Sequence, residues 1–574
     1  MQKHSIARAV SGARWNPRDG LIGSDQGLWY DPSDLSTLFQ DAAGTTPVTA
    51  VEQPVGLMLD KSKGLVLGSE LVVNGTFDTA ENWTRVGVGG TASISGGAAS
   101  ITNVAGSFEA IGFSQSIPVV SGKTYLVTAT FTKSSAAGFA RVSFGPVSVI
   151  SSSATSGVLS GYVTSSTSSF TLAAFNPGNG SEAITVTIDN ISVRELPGNH
   201  AFQTTSTKRP VLSARYNLLT KTERFAQLPW AAYSATIQDN TSDTLDPIGG
   251  NNASKAIYGG ASAGFYVEAT MNTSYKYSIY AKKGTYDVAK VAVAYVTPSP
   301  SATFNMTSGV ASVVDCTASM TSIENDWWLC TIVFTVSGSA RIVNYCGTTT
   351  GHNLYYFGAS LVPANQASLP YQRVNTSTDY DSDPTKFPWY LKFNGVNQSL
   401  QTASIDFTST DKMLVCAGVR KLSDAAAGIL FETSVDVTAS YPGSFSMFSP
   451  HTASGTTYQP YFRGDVGWAY ESLTPFAAPI TNVVTAQMFN RLPAAGVGVD
   501  ARVNGVAQIG AEANSITDAG NFGNYPLYIG ARAGTSLFFN GHLYRLVICG
   551  RPTTVPIDQI TRTEEFVNRK TKAY

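Results

Sequence analysis

Short runs of alternating apolar and polar residues fill most of this chain, with Gly, Ser and Asn at the turns between them. Residues 126–132 (LVTATFT) and 184–193 (ITVTIDNISV) are two clear cases. Because successive side chains of a strand point to opposite faces of a sheet, this period of two predicts half-buried β-strands. A fair helical pattern occurs only after Pro556, from Ile557 to Lys570. We therefore predict an all-β protein of tandem β-sandwich or jelly-roll domains with a short C-terminal helix.

The first 64 residues differ from the rest of the chain. Residues 29–39 (WYDPSDLSTLF) predict a turn and one short helical turn, with Pro32 at its first position and Asp31 or Ser33 as its cap. The short extended pieces that follow are too few to build a core. We therefore expect residues 1–64 to dock on the neighbouring domain or on an assembly partner.

Residues 65–198 and 211–373 carry the same arrangement of landmarks. In each part a Phe and a Trp follow the first strand, at Phe77 and Trp83 and again at Phe225 and Trp230. We interpret the two parts as strongly diverged copies of one sandwich, a structural repeat of ~140–160 residues.

A linker rich in Asn, Ser, Thr, Asp and Pro leads to the last region, residues 386–574. This region carries Asn394-Gly395 and Asn504-Gly505 between alternating residues, and each pair predicts a type I′ hairpin turn. The chain is thus expected to hold a docking segment, two jelly rolls and a third sandwich that ends in the helix.

The composition narrows the choice of partners. Charged residues make up 13% of the chain, about half of the ~25% that is typical, and the net charge is -1. We expect no nucleic-acid partner, because a nearly neutral chain has little attraction for phosphate. We expect no membrane insertion and no secretory signal, because no apolar run reaches ~18 residues and none follows the basic N-terminus. The Ser-, Thr-, Asn- and Gly-rich surface is typical of carbohydrate-facing proteins.

The five cysteines point to synthesis in the cytoplasm. They are few, odd in number and without CxxC spacing, and they lie at positions 316, 330, 346, 416 and 549. This pattern favours reduced, buried thiols over a disulfide scaffold or a zinc site. A virion protein, which leaves its host by lysis, would combine an extracellular type of composition with cytoplasmic synthesis.

Two stretches resemble known jelly rolls. Residues 70–78 (ELVVNGTFD), with Trp83 and residues 188–193 (IDNISV), resemble the galactose-binding-like jelly rolls of carbohydrate-binding modules in families 4 and 9. Residues 277–284 (YSIYAKKG) and 357–361 (FGASL) resemble a jelly-roll domain that recurs in structural proteins of tailed phages.

The last region and the first segment have resemblances of their own. Residues 391–397 (LKFNGVN), 503–506 (VNGV) and 539–543 (FNGHL) resemble the laminin-G-like, concanavalin A-type sandwich. Residues 29–39 look like the leader segments of phage virion proteins. Together the resemblances imply a tailed-bacteriophage virion protein built of sandwiches that often bind glycans.

Glycan recognition needs flat aromatic faces beside polar side chains on an exposed surface. Trp468 directly follows residues 464–467 (GDVG), whose Gly and Asp favour a loop, and Tyr458 and Tyr461 precede it. Trp83 is a further candidate, although its duplication as Trp230 favours a shared packing role. Of the pair Trp327 and Trp328, we expect one ring to be buried and the other exposed, and Trp327 is taken as the candidate.

Calcium is the metal that the resemblance implies, since related jelly rolls often hold a structural ion between the first strand and the closing strand. Glu70, Asp78 and Asp189 occupy plausible positions for its hard oxygen ligands. Asn217 and Gly358 stand where the second copy would need acids, which counts against the site. The alternative is that Asp78 caps a turn and Asp189 is solvated.

The sequence motifs that would indicate an enzyme are either incomplete or lie in the wrong structural context. Residues 260–264 (GASAG) match the Gly-x-Ser-x-Gly motif of hydrolases. In those enzymes the motif forms a turn from a strand into a helix, whereas here a strand-like stretch follows it. The last region lacks the alternating acids of sandwich-type glucanases. We therefore predict that the chain is not an enzyme.

The predicted function is that of a tail fibre, tailspike or tail-tip protein, located in the virion, that binds host surface polysaccharide without catalysis. Residues 1–64 would contact other virion proteins, and a homo-oligomer, for which a trimer is one form, would add avidity. Two alternatives stay open: a capsid-decorating or purely structural virion protein, and a glycan depolymerase whose acids converge only in the fold.

Overall fold

The computed structural model describes residues 15–23, 25–105, 111–144, 148–165, 169–176, 182–439, 441–490, 498–516 and 520–574. The first 14 residues of the expected docking segment lie outside the described residues. The chain forms two compact units. The first unit holds the chain up to residue 212 together with 390–477 and 482–571, and the second holds 213–389 with 478–481 and 572–574.

The all-β prediction is confirmed, because strands carry most of the regular structure in the described residues. The strands up to residue 213 are β1 (Gln26–Tyr30), β2 (Leu38–Phe39), β3 (Leu57–Met58), β4 (Thr84–Gly87), β5 (Gly90–Ser95), β6 (Ala98–Asn103), β7 (Ile111–Pro118), β8 (Thr124–Lys133), β9 (Ala140–Phe144), β10 (Ser148–Ser152), β11 (Ser156–Thr164), β12 (Ser169–Asn176), β13 (Thr185–Leu196), β14 (Ala201–Phe202) and β15 (Val211–Ser213).

The second unit is built on one ten-stranded sheet in the order β17-β18-β25-β19-β24-β20-β21-β22, with β16 on β19 and β23 on β24. Its strands are β16 (Ala231–Tyr233), β17 (Ala235–Gln238), β18 (Ser254–Tyr258), β19 (Gly264–Lys283), β20 (Val288–Ala294), β21 (Ser301–Asn305), β22 (Val310–Val314), β23 (Thr317–Ser322), β24 (Trp327–Tyr345) and β25 (Asn353–Pro363).

The remaining strands and the helix complete the first unit. They are β26 (Tyr390–Asn394), β27 (Leu400–Asp406), β28 (Lys412–Lys421), β29 (Ile429–Thr433), β30 (Phe445–Phe448), β31 (Gln459–Arg463), β32 (Trp468–Ser472), β33 (Ile480–Phe489), β34 (Val499–Val503), β35 (Val506–Ala507), β36 (Ala511–Asn514), β37 (Asn524–Ile529), β38 (Asn540–Arg551) and α1 (Ile557–Thr571). Short helical turns lie at Arg18–Ile22, Leu35–Thr37, Ser206–Lys208 and Ala364–Gln366.

Four sheets make up the first unit. Two five-stranded sheets, β10-β9-β12-β7-β4 and β11-β8-β13-β6-β5, enclose a jelly-roll core that includes Phe77, Trp83 and Phe131. The other two are an eight-stranded sheet, β15-β26-β38-β28-β33-β34-β35 with β1 on β38, and a ten-stranded sheet, β2-β3-β14-β27-β37-β29-β30-β31-β32-β36. The helix α1 packs on β28 and β38, and it begins at the predicted residue and ends one residue later than predicted.

The described part of the N-terminal segment adds strands to the last two sheets. Strand β1 pairs with β38, and the buried Asp31 carboxylate accepts hydrogen bonds from Arg545 at 2.6 and 3.0 Å. The predicted helical turn is a 3-10 turn that begins at Leu35, and Asp34 caps it instead of Asp31 or Ser33. Asp34 accepts from the Ser36 backbone N–H, while the Asp31 carboxylate accepts from Arg545 and from the Ser33 backbone N–H. Strands β2 and β3 join the ten-stranded sheet through β14, so the described part of this segment is paired with the last region of the chain.

One of the two hairpin predictions is confirmed. Asn504 and Gly505, with φ of 53° and 77°, join the paired strands β34 and β35. The other is wrong, because β26 and β27 on either side of Asn394-Gly395 lie in different sheets. The Asn394 side chain accepts hydrogen bonds from the backbone of Val396 and Asn397, so the turn is closed locally without a hairpin.

Candidate functional site

Three aromatic side chains project from one face of the ten-stranded sheet of the first unit. Trp468 and Tyr470 lie two residues apart on β32, and Tyr461 on β31 is directly paired with Tyr470. Residues two apart on a strand, and residues directly opposite on its neighbour, share one face of a sheet. Ala469 between them is fully buried on the other face. We name Tyr461, Trp468 and Tyr470 the aromatic face.

The three rings are nearly parallel. The centroids of Trp468 and Tyr470 are 5.3 Å apart with an interplanar angle of 9°. Tyr461 lies 6.1 Å from Tyr470 at 13° and 6.3 Å from Trp468 at 18°. Tyr461 is 8% exposed and forms the base, whereas Trp468 and Tyr470 are half-buried. The rings stack on one another, and the half-buried Trp468 and Tyr470 leave part of this aromatic cluster accessible to solvent.

An ion-pair network continues the same face. Glu432 pairs across the sheet with Ser446, and Ser446 pairs with Tyr461. The buried Glu432 carboxylate accepts hydrogen bonds from Arg532 at 3.0 and 3.2 Å, and a second Arg532 nitrogen lies 3.0 Å from the Asp436 carboxylate. One arginine thus holds two carboxylates beside the aromatic rings.

Burial sets the protonation behaviour of this network. Burial raises the pKa of Glu432, and the hydrogen bonds from Arg532 oppose that rise. Burial also raises the pKa of Tyr461, against a lowering hydrogen bond with Arg463. Arg532 lies over the Phe448 ring, 5.7 Å from its centroid, so its planar guanidinium is fixed on both its edge and its face.

The structure brings together two of the five residues expected to bind glycan, Trp468 and Tyr461. Trp468 opens a strand and does not lie on a loop, because its backbone pairs with Arg463. Sequence reasoning missed Tyr470, Glu432, Asp436 and Arg532 as members of this surface. The spacing of Trp468 and Tyr470, two residues apart on either side of a small residue, is a signal that could have identified Tyr470.

The other three candidates are buried. Tyr458 was expected on an exposed loop, but its ring is fully buried and its hydroxyl accepts a hydrogen bond from Asn482 at 3.2 Å. Trp83 is 7% exposed and stacks near Phe77 in the jelly-roll core. Trp327 is fully buried, and its indole N–H donates to the Leu245 carbonyl. A ring without an accessible face cannot stack on a sugar, so these three predictions are wrong.

The acids expected to bind calcium have partners within this chain. Glu70 accepts hydrogen bonds from the backbone N–H groups of Val72 and Val193 and from the Ser192 hydroxyl. Asp189 accepts from its neighbour Asn190, and Asp78 accepts from the Thr76 hydroxyl. In the described part of the chain, no three His, Cys, Asp or Glu side chains form a group that could hold a metal ion. Calcium binding stays a prediction.

Two further features bear on function. Ser262, in the hydrolase-like string, is followed by strand β19, as the sequence predicted. A polar cavity of about 690 Å³ lies in the first unit between residues 120–123, residues 198–199 and the end of strand β27 at 403–406. Its lining is mainly Ser, Gly, Asn, Lys and Asp, with no aromatic ring, so the aromatic face is the stronger candidate for a sugar. No helix in the described residues has the length and apolarity needed to cross a membrane.

No protein-family model matches this chain, and no curated protein matches it either. Among solved structures it is similar to the N-terminal tandem CBM22 domain of Paenibacillus barcinonensis Xyn10C, with 12% identity over 52% of this chain and 98% of that one and a TM-score of 0.21. It is also similar to the CBM40 domain of the Ruminococcus gnavus IT-sialidase, with 11% identity over 30% of this chain and 96% of that one and a TM-score of 0.21.

A third similar structure is the Trypanosoma rangeli sialidase, with 10% identity over 84% of this chain and 94% of that one and a TM-score of 0.23. Values this low carry no argument about what this chain binds. The functional case therefore depends on the side chains themselves.

Proposed function

We propose that this protein binds glycans, without catalysis, through the aromatic face. The single observation that carries the proposal is the set of nearly parallel rings in which the half-buried Trp468 and Tyr470 stack over the buried Tyr461. Pyranose rings present C–H groups to aromatic faces, and their hydroxyls need nearby polar partners. Asp436 and Arg532 supply such partners at the edge of the rings.

In the finer form of this proposal, the chain is a tailed-phage virion protein that attaches the particle to host polysaccharide. The resemblances of residues 29–39, 277–284 and 357–361 to phage structural proteins support this role. Weak contacts with repeated sugars gain strength when several copies of a protein bind together, so an oligomeric mount would suit a shallow aromatic surface.

The test is a glycan array, with host-cell polysaccharides included, probed with the full chain and its variants. We expect Trp468→Ala and Tyr470→Ala each to weaken binding about tenfold, the effect of losing one stacked ring. Trp328→Ala, which removes a half-buried tryptophan elsewhere, serves as the matched control and should bind normally. Equal binding by all four proteins, or no binding to any glycan, would contradict the proposal.

The same polysaccharides distinguish binding from depolymerisation. Glu432 and Asp436 both face Arg532, so neither carboxylate is presented as an unpaired acid or nucleophile. We expect no release of reducing ends on prolonged incubation. Release that is lost in Glu432→Gln would show that the chain is a glycan depolymerase instead.

A further inference from the structure

A second aromatic surface lies on the sheet of the second unit. It consists of Tyr233, Tyr266, Tyr295, Tyr345, Arg341 and Lys290, which we name the tyrosine patch. The strand register places most of these residues on one face: Gly264 of β19 pairs with both Tyr233 and Tyr345, and Tyr345 also pairs with Lys290. The rings therefore lie side by side because of strand pairing and not because of a loop.

The patch is continuous from one end to the other. The Arg341 guanidinium lies 4.4 Å from the Tyr266 ring centroid and 4.7 Å from that of Tyr295. The Tyr233 ring is 6.0 Å from Tyr266 and 6.4 Å from Tyr345. Beyond these, the Lys290 ammonium lies 5.3 Å from the Tyr345 ring centroid.

The floor of the patch is apolar and its tyrosine rings are accessible. Val343 and Ala292, which pair with each other between these strands, are 5% and 8% exposed. Tyr295 is 76% exposed, and the other three tyrosine rings are half-buried. Tyr295 directly follows β20, and the other three rings lie on β16, β19 and β24, so together they form an exposed aromatic patch of the kind that marks an interaction site.

The two cations of the patch differ. Arg341 donates to the Glu268 carboxylate at 2.9 Å and lies against two tyrosine rings, so its charge is already compensated. Lys290 is exposed, and among the residues that the structure describes no carboxylate lies within ion-pair distance of it. The patch therefore combines flat rings, phenolic hydroxyls and one available positive charge.

We infer that the tyrosine patch binds an acidic saccharide, one whose sugar ring carries a carboxylate. The tyrosine rings would stack on the pyranose, and Lys290 would pair with the carboxylate. This second site goes beyond the function proposed above, because it lies in the other unit and requires a charged ligand. Two sites in one chain would also add avidity on a polysaccharide that contains acidic sugars.

The experiment measures binding by the full chain carrying Trp468→Ala, so that binding through the aromatic face is weakened about tenfold. The probes are oligogalacturonate, oligosialic acid and hyaluronan oligomers, each beside its carboxyl-reduced form, at up to millimolar concentration in calorimetry. We expect at least one acidic probe to bind and its reduced form to bind about tenfold more weakly, since the charge-assisted contact is lost.

Two variants test the patch without risk to the core, because both side chains are exposed. Adding Lys290→Gln should weaken binding of the acidic probe about tenfold, and Tyr295→Ala should weaken binding of the acidic and reduced forms alike. Lys283→Gln, at another exposed lysine of the same unit, is the matched control and should change nothing.

Three results would overturn the inference: no acidic probe binds, the reduced form binds equally well, or Lys290→Gln has no effect. None of them bears on the glycan array of the chain with intact Trp468. The second site and the proposed function can therefore fail independently.

Discussion

The jelly roll of the first unit and the sandwich of the second unit close in the same way. In the first copy the Leu71 N–H donates to the Val193 carbonyl at 3.0 Å, and in the second the Leu218 N–H donates to Leu361 at 2.9 Å. The residue before each donor, Glu70 or Asn217, uses one side-chain oxygen to accept from the backbone N–H two residues later and from a backbone N–H of the closing strand. We name this set the closing contact.

The two closing contacts differ in burial. Glu70 is exposed, and its carboxylate has the water that a charge requires. Asn217 is fully buried, and its amide N–H groups donate to the Ala359 and Gln372 carbonyls at 3.0 and 2.9 Å. The exposed position thus holds the acid Glu70, and the buried position holds the neutral amide Asn217. This difference is expected because burying a charged carboxylate away from water is unfavourable. The shared position is explained by backbone closure and does not require a metal.

The largest expected effect is at the buried closing contact. Asn217→Ala leaves two backbone N–H groups and two carbonyls without partners in a dry site, which should cost about 4 kcal/mol. Thermal melting should show the loss, and hydrogen exchange should localise it to the amides of Leu219 and Leu361. Asn217→Asp places a charge there and should be no milder; a variant as stable as the parent would break the comparison.

The next effect concerns the bulge that follows in the closing strand. Asn190 and Gly358 hold equivalent positions with φ of 53° and 61°. A Cβ at Gly358 would lie 3.0 Å from the Tyr280 ring, so Gly358→Asn should cost about 2 kcal/mol through crowding. Asn190→Gly, at an exposed site, should cost less than about 1 kcal/mol. Denaturant unfolding of both variants measures the asymmetry, and equal losses would contradict it.

The two core tryptophans should respond alike. Trp83 donates to the Asn74 carbonyl at 2.9 Å and Trp230 to the Thr220 carbonyl at 3.0 Å, each beside a phenylalanine. Trp→Phe at either position removes one hydrogen bond and part of a packed ring, which should cost about 2 kcal/mol. The measurement is the shift in unfolding midpoint of each unit. A loss of glycan binding without a loss of stability would instead favour a ligand role.

The smallest effect is expected at the exposed closing contact. Glu70→Ala should cost about 1 kcal/mol and Glu70→Gln less, because the amide oxygen still accepts the same N–H groups. EGTA should leave the melting temperature of the parent unchanged if closure alone explains Glu70. A fall in melting temperature with EGTA that disappears in Glu70→Gln would restore the calcium prediction.

The sequence by itself determined the features that depend on local patterns. The period of two gave the strands, the spacing after Pro556 gave α1, and Asn504-Gly505 gave a hairpin. The matching positions of Trp83 and Trp230 predicted two copies, and each indole lies in a core beside a phenylalanine, at interplanar angles of 32° and 79°. These features can be predicted because each depends on residues that are close together along the chain.

The tertiary structure alone decided which aromatic rings reach solvent. Tyr458 and Tyr461 are three residues apart, yet one is sealed in the core and the other supports the aromatic face. Asn394-Gly395 does not form a hairpin, because the flanking strands β26 and β27 pair with strands that are distant in sequence and belong to different sheets. Arg341 and Lys290 join the tyrosine patch only through the register of β19, β20 and β24. The exposure of a side chain depends on which distant strands pack against it, and a local sequence pattern does not contain that information.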